Sequence, residues 1–239
     1  MFEWTKESAA FLDNAAACTG CYDRLAQAAA RRMAPEASVF EGGCGLGHLS
    51  ESLAGRGFLV TAMDTSALAL GAFAARVRGK DLPLNIRLGD AFGIPPEESF
   101  DYGLFCFFGS VREVLAWGRS HSRRGLILFK KNWAAHRFTR DPGAIRKFTY
   151  PLTCAELNEL GVPFETEVFD LDMGQPFRSL PDAVRFFRLY DPASAMTEAD
   201  ILPRLMETAD PAFPYYLPAV RPVGMICIRA DDLRNIPLS

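Results

Sequence analysis

Residues 39–54 read VFEGGCGLGHLSESLA. Four glycines fall within six positions, from Gly42 to Gly47, directly behind Glu41. Ala37 to Phe40 is a short apolar run of strand type that feeds the glycines. His48 to Leu53 opens a helix that Gly55 and Gly57 stop. Strand, bare turn and helix make a cradle for a nucleotide-like ligand. Glycines permit positive φ and let a ligand approach the backbone. The helix start offers free N–H groups and the positive end of a dipole.

Outward from this point, strands and helices alternate. Phe58–Met63 reads as a second strand ended by Asp64, and Ser66 caps a helix over Ala67–Val77. Leu84–Leu88 is a third strand, followed by Gly89 and Asp90. Tyr102–Phe107 is a fourth, and Ser110 with Glu113 has capping-box spacing for the next helix. Leu126–Lys130 is a fifth strand. Thr153 with Glu156 repeats the capping spacing, and Gly161 ends that helix. Phe164–Leu171 and Val223–Ile228 read as the sixth and seventh strands. Alternation of this kind implies an α/β fold with a mostly parallel, doubly wound sheet. One domain over 1–239 is expected. It carries a helical segment at 1–35 and an insertion at 172–221 between the last two strands. Helix starts at Ser179 and Thr197 suggest a helical cap over the ligand edge.

Composition fits that architecture. The chain has 239 residues, 49% hydrophobic and 23% charged, enough for a substantial core. No apolar run reaches the roughly 18 residues of a membrane helix. The first residues, with Glu3 and no basic start, do not read as a secretory signal. Six scattered cysteines then point to a reduced, cytoplasmic protein. Cys18 and Cys21 form one C-x-x-C, which supplies only two of the four ligands of a structural zinc. Net charge is −3, but Arg119 to Lys147 is basic: Arg119, Arg123, Arg124, Lys130, Lys131, Arg137, Arg140, Arg146 and Lys147 face one acid, Asp141. A solvated face explains such a run, and so does a patch for an anion.

The glycine spacing separates two cofactor classes. A dinucleotide site wants G-x-G-x-x-G. Gly43, Gly45 and Gly47 give G-x-G-x-G, and the sixth position from Gly43 or Gly45 is His48 or Ser50. The pattern E-x-G-x-G-x-G does fit, from Glu41 to Gly47. Here the sequence resembles the class I S-adenosylmethionine-dependent methyltransferases, of the small-molecule type, over roughly residues 36–131. The resemblance implies a Rossmann-like seven-stranded sheet with an antiparallel last strand. It implies S-adenosylmethionine as methyl donor and S-adenosylhomocysteine as product. Glu41 then faces the positive methionine end, Asp64 takes the ribose hydroxyls, and Asp90 takes the adenine amino group with Ala91 and Phe92 beside the ring. The implied cofactor set is Glu41, Gly43, Cys44, Gly45, Gly47, Asp64, Thr65, Asp90, Ala91, Phe92 and Cys106, with no metal.

Methyl transfer asks mainly for positioning and exclusion of water. After the fourth strand comes Cys106-Phe107-Phe108-Gly109-Ser110. It lacks the Asn/Asp-Pro-Pro-Tyr/Phe signature of many amino-group and nucleic-acid methyltransferases. Phe107 and Phe108 are candidates to wall an aromatic or apolar acceptor, and Ser110 reads as a helix cap. Lys130 and Lys131, with Arg137 and Arg140 beyond, are candidates to hold a carboxylate or phosphate. A base is needed only where the acceptor must lose a proton. Tyr22 and His136 are the candidates, with His121 in a basic turn. His48 reads as a surface residue at a helix start. Phe177, Phe186, Phe187 and Tyr190 give the cap an aromatic face that suits an enclosed site. A small-molecule acceptor is the first reading. An RNA or protein acceptor gripped by 119–147 is the second, and steep loss of affinity with salt would favour it. A non-catalytic module on the same fold is the third, and a nicotinamide oxidoreductase the fourth.

Overall fold

The computed structural model describes residues 3–133, 148–191 and 196–233. The chain opens with α1 (Lys6–Thr19) and α2 (Cys21–Ala30), hinged at Gly20 in the left-handed region (φ 61°). Then follow β1 (Ser38–Gly42), α3 (His48–Ala54), β2 (Leu59–Asp64), α4 (Ala67–Val77), β3 (Leu84–Leu88), β4 (Phe100–Cys106), α5 (Val111–His121) and β5 (Ser122–Lys131). After the undescribed stretch come α6 (Tyr150–Glu159) and β6 (Glu165–Asp172). The insert contributes β7 (Gln175–Phe177), α7 (Leu180–Tyr190), α8 (Glu198–Ile201), β8 (Met206–Glu207) and β9 (Tyr215–Leu217). The last strand, β10 (Val220–Arg229), leads into α9 (Ala230–Leu233).

The main sheet has seven strands in the order β3-β2-β1-β4-β5-β10-β6. β1 pairs in parallel with β2 and β4, β2 with β3, and β4 with β5. β10 runs antiparallel to both β5 and β6. Chain order reverses between β1 and β4, and ligands of such sheets bind at that crevice.

Side chains alternate across the central strands and supply two cores. Val39, Leu104, Ile127, Phe129 and Met225 face one side, where Leu25 of α2 and Leu49 and Leu53 of α3 cover them. Phe40, Phe105, Leu126, Leu128 and Ile226 face the other, against Trp117 of α5 and Leu157 of α6. Burial on both faces accounts for the nearly unbroken apolar reading of β4 and β5.

Several expected boundaries moved. β4 stops at Cys106 because Phe107 takes φ 55°, outside strand conformation. β5 starts at Ser122, so exposed Arg123 and Arg124 belong to a strand that apolar patterning began only at Leu126. The capping pair expected at Thr153 and Glu156 does not form. α6 starts a turn earlier, behind Thr149, because Pro151 is favoured in a first helical turn. Thr153 is buried inside that helix. By contrast, Ser66, Ser179 and the Ser110–Glu113 box cap their helices as expected, and Thr197 forms a capping box with Asp200.

The insert is not wholly helical. Beside α7 and α8 it forms a three-stranded antiparallel sheet, β7-β9-β8. It docks on α1 through an aromatic cluster: the Phe11 ring meets Phe186 at 5.2 Å and Phe177 at 6.3 Å, both edge-on. Phe177, Phe186 and Phe187 are therefore core of the cap rather than cavity wall. Among the described residues no helix is long and apolar enough to cross a membrane.

Candidate active site

The glycine loop turns out of β1 with Gly43, Gly45 and Gly47 at φ 69°, 53° and 68°. Positive φ is only half of the requirement. A Cβ at Gly43 would enter the Phe108 ring, and one at Gly47 the Phe73 ring. The loop's own N–H groups are largely spent. Gly43 and Cys44 donate to the Met63 carbonyl (2.9 and 3.1 Å), Gly47 to the Cys44 carbonyl (2.8 Å), and Gly45 to Asp64 Oδ2 (2.8 Å). A pyrophosphate site keeps such donors free. This loop is shaped to pass beneath a ligand without gripping a phosphate.

Three carboxylates stand at the tips of β1, β2 and β3. Glu41 is 2% exposed. Ser50, from the first turn of α3, donates its hydroxyl to Glu41 Oε2. Burial pushes the Glu41 carboxyl up to about 7, against the opposing effect of the Ser50 bonds. Among the described residues no lysine or arginine pairs with it, so a positive ligand group is the partner its surroundings lack. Asp64 is fixed by Gly45 N–H and by Ser66 N–H, which donates to Oδ1 at 2.9 Å. Each of its oxygens keeps a further acceptor direction for a hydroxyl. Asp90 accepts from Phe92 N–H at 3.0 Å, which turns the chain so that Ala91 and Phe92 follow along the same wall. Phe92 stacks between Phe105 (5.8 Å) and Phe108 (5.5 Å), the rings within 10° of parallel.

These groups share one cavity of about 1310 Å³. All of Glu41, Gly43, Cys44, Gly45, Gly47, Asp64, Thr65, Asp90, Ala91, Phe92 and Cys106 line it, together with Phe107, Phe108 and Lys131. The volume exceeds what one small ligand fills, leaving room for a second beside it.

Sequence reasoning missed part of the wall. Trp4 and Leu12 line the cavity, and Trp4 packs against the glycine loop beside Gly45. The signal was faint: Trp4 precedes the cap Thr5, where an apolar residue often staples a helix start. His48 is not a surface residue, as expected at a helix start, but half-buried cavity wall. Its Nε2 lies 2.8 Å from Asp13 Oδ1 of α1, and its ring stacks on Tyr22 at 5.2 Å. Burial, with Arg76 nearby, holds its pKa below the ordinary range. Asp13 also pairs with Arg76 of α4, so one carboxylate ties three helices around the loop. No local pattern announces a pair separated by 35 positions.

Of the base candidates, Tyr22 lines the cavity, and burial raises its hydroxyl further above its ordinary value. His121 does not line it. Its Nδ1 meets the Glu98 carbonyl at 2.8 Å at the far end of α5. His136 lies outside the described residues, as do Arg137, Arg140, Arg146 and Lys147.

The two lysines part company. Alternation along β5 sends Lys130 to the α5 side, 1% exposed, where its ammonium donates to the carbonyls of Phe108 (3.0 Å) and Gly109 (2.8 Å). It is absent from the cavity wall. The expectation that it binds acceptor is therefore corrected: Lys130 braces the turn that carries Phe107 and Phe108. Burial brings its pKa down to about 8. Lys131 points the other way, into the cavity. The rest of the described basic run is elsewhere. Arg123 and Arg124 bind Asp101 at the opposite end of β5, roughly 25 Å of strand from Lys131. A smaller cleft of about 460 Å³ opens at that end and contains none of the expected site residues. The six cysteines are free thiols, with Cys18 exposed and Cys21 buried.

Residues 39–116, about a third of the chain, match the family described as methyltransferase domain. No curated protein sequence matches the chain. Among solved structures, the YcgJ protein of Bacillus subtilis superposes with TM-score 0.55 at 12% identity, covering 87% of this chain and 97% of its own. The precorrin-6y C5,15-methyltransferase of Geobacter metallireducens gives 0.50 at 12% identity, covering 87% of each chain. Coclaurine N-methyltransferase, bound to N-methylheliamine and S-adenosylhomocysteine, gives 0.50 at 11% identity, covering 86% of this chain and 71% of its own. Residues 39–116 thus match a methyltransferase domain, and the sheet shares the fold of these solved structures.

Proposed function

We propose that the protein transfers a methyl group from S-adenosylmethionine to a small-molecule acceptor. The observation that carries this reading is the convergence of Glu41, Asp64 and Asp90, from three adjacent strand tips, on one cavity floored by the glycine loop. Glu41 faces the positive methionine end, Asp64 the ribose hydroxyls and Asp90 the adenine amino group, with Ala91 and Phe92 along the ring. The spent N–H groups of the loop suit a ligand without phosphates, and buried Glu41 would repel a pyrophosphate.

When bound, S-adenosylmethionine supplies a methyl already activated on a sulfonium. The chain then has to place a nucleophile in line and keep water out. Phe107 and Phe108, behind the tip of β4, with Tyr190 from the cap, line the remaining space. Phe107 holds its strained φ through a bond from its N–H to the Phe129 carbonyl (2.9 Å), and such strain is retained where it serves a site. A lining that includes Phe107, Phe108 and Tyr190 suits a small aromatic or apolar acceptor. The separation of Arg123 and Arg124 from Lys131 also weakens the idea of one continuous surface for RNA.

Calorimetric titration with S-adenosylmethionine, S-adenosylhomocysteine and NAD tests the donor half. Binding of the first two and not the third is expected, and binding of NAD alone would overturn the reading. A metabolite panel scored for S-adenosylhomocysteine release tests the acceptor half.

A further inference from the structure

Lys131 closes β5 with its ammonium in the cavity wall, 5.7 Å from the centroid of the Phe107 ring. It is half-buried, and that burial brings its pKa below the ordinary lysine value. The same cavity is lined by the rings of Phe107, Phe108, Phe148 and Tyr190. Four carboxylates of the cavity are engaged elsewhere. Glu41 takes the Ser50 hydroxyl, Asp64 the Gly45 and Ser66 N–H groups, Asp90 the Phe92 N–H, and Glu113 closes the capping box on Ser110. Among the described residues no carboxylate pairs with Lys131. Among the described residues, the ionisable group that acts on it is the Cys106 thiol, which burial keeps protonated. A cation drawn partly out of water costs free energy that an opposite charge offsets. The ring face of Phe107 offsets part of that cost. The rest is recovered when an anion enters.

We infer that the acceptor is an aromatic monocarboxylic acid, its carboxylate held by Lys131 and its ring lying against Phe107. This rests on the methyltransferase reading for the word acceptor, though not for the binding site itself. The charge count selects a carboxylate over a phosphate. One ammonium balances one negative charge, whereas a phosphate dianion would bring surplus charge into a cavity that already holds Glu41, Asp64 and Asp90. Ring stacking selects a planar body over an aliphatic one.

The test compares acids with their primary amides, which keep shape and lose charge: benzoate, anthranilate, 4-hydroxybenzoate and indole-3-acetate against the matching amides. Affinities are measured by calorimetry on protein saturated with S-adenosylhomocysteine, and again on protein without it. At least one acid is expected to bind about tenfold or more tightly than its amide. Lys131→Met should erase that difference and Lys131→Arg should keep part of it. Affinity for S-adenosylhomocysteine should stay within about twofold in both variants, which also certifies their folding. No acid preference anywhere in the panel, or a preference that survives in Lys131→Met, overturns the inference. Failure of S-adenosylhomocysteine to bind the wild type would instead strike the methyltransferase reading. The acid-against-amide comparison on cofactor-free protein would still decide the role of Lys131.

Discussion

The two halves of the cavity are built by different means. On the side of β1, β2 and β3 the wall is mostly backbone and short carboxylates. The glycines at 43, 45 and 47 leave no room for a Cβ, and the loop is stitched to β2 through Met63 and Asp64. On the side of β4, β5 and the cap the wall is long side chains: Phe107, Phe108, Lys131 and Tyr190, brought from segments far apart in the chain. A backbone wall has few ways to vary and suits a fixed ligand. A side-chain wall can be rebuilt residue by residue and suits a variable one. The family match covers the glycine loop and strand tips of the first half, with Phe107 and Phe108 of the second, and stops within α5, ahead of Lys131 and the cap.

The largest expected effect tests whether the first half tolerates any side chain at all. Gly47→Ala combines positive φ with a Cβ directed into Phe73, itself 0% exposed, and should cost about 3 kcal/mol or more. For a chain of this size that lowers Tm by roughly 6–12 °C, read by calorimetry. An unchanged Tm would show that the loop is looser than its contacts indicate.

Next in size is Asp64→Ala. It removes a hydroxyl acceptor and also frees the Gly45 and Ser66 N–H groups. Affinity for S-adenosylmethionine and S-adenosylhomocysteine should fall alike, by roughly 100-fold. Unequal losses would place Asp64 nearer the sulfonium than the ribose.

Glu41→Gln keeps the shape and removes the charge. Affinity for S-adenosylmethionine should drop by about 10- to 100-fold, and less for the product, which lacks the sulfonium charge. The raised carboxyl, about 7 against an ordinary 4.5, fixes the pH behaviour. The cofactor-free protein holds a proton on Glu41 below about pH 7, and a cation attracts the ionised form. Affinity for S-adenosylmethionine should therefore rise between about pH 6 and 8, with a proton expelled on binding. Calorimetry in buffers of different ionisation enthalpy reads that proton, and Glu41→Gln should abolish it. Without ligand the sign reverses. The contribution of Glu41 to stability is full below 4.5 and is lost as pH rises through about 7.

The smallest effect belongs to the second half. Lys130→Met leaves two carbonyls unpaired and should cost about 1–3 kcal/mol, read by denaturant titration. Acceptor KM should rise while S-adenosylmethionine affinity holds, because the brace supports Phe107 and Phe108 and not the glycine loop. Its pKa is lowered on folding, from 10.5 to about 8, so stability gains with rising pH across that window. The variant should lose that gain. Equal damage to cofactor and acceptor binding would erase the distinction between the halves.

Much of this was legible in the order of the residues. A loop that must bend through positive φ three times announces itself as glycine, and an acid at a strand tip sits within a few positions of the strand it ends. The parallel sheet followed from apolar runs alternating with capped helices, and the Ser66, Ser110 and Ser179 caps were read correctly because a cap bonds three residues away. Those are local constraints, and local constraints are written locally. Packing decided the rest. Two adjacent lysines looked equivalent until the pleat of β5 sent Lys130 to two carbonyls and Lys131 to the cavity. His48 became wall only when Asp13 arrived from α1. The small sheet of the cap depends on pairings such as Gln175 with Leu217, which hydropathy alone does not specify. Short-range geometry made the glycine cradle readable, whereas the side-chain wall exists only once distant segments, each buried for its own energetic reasons, meet in space.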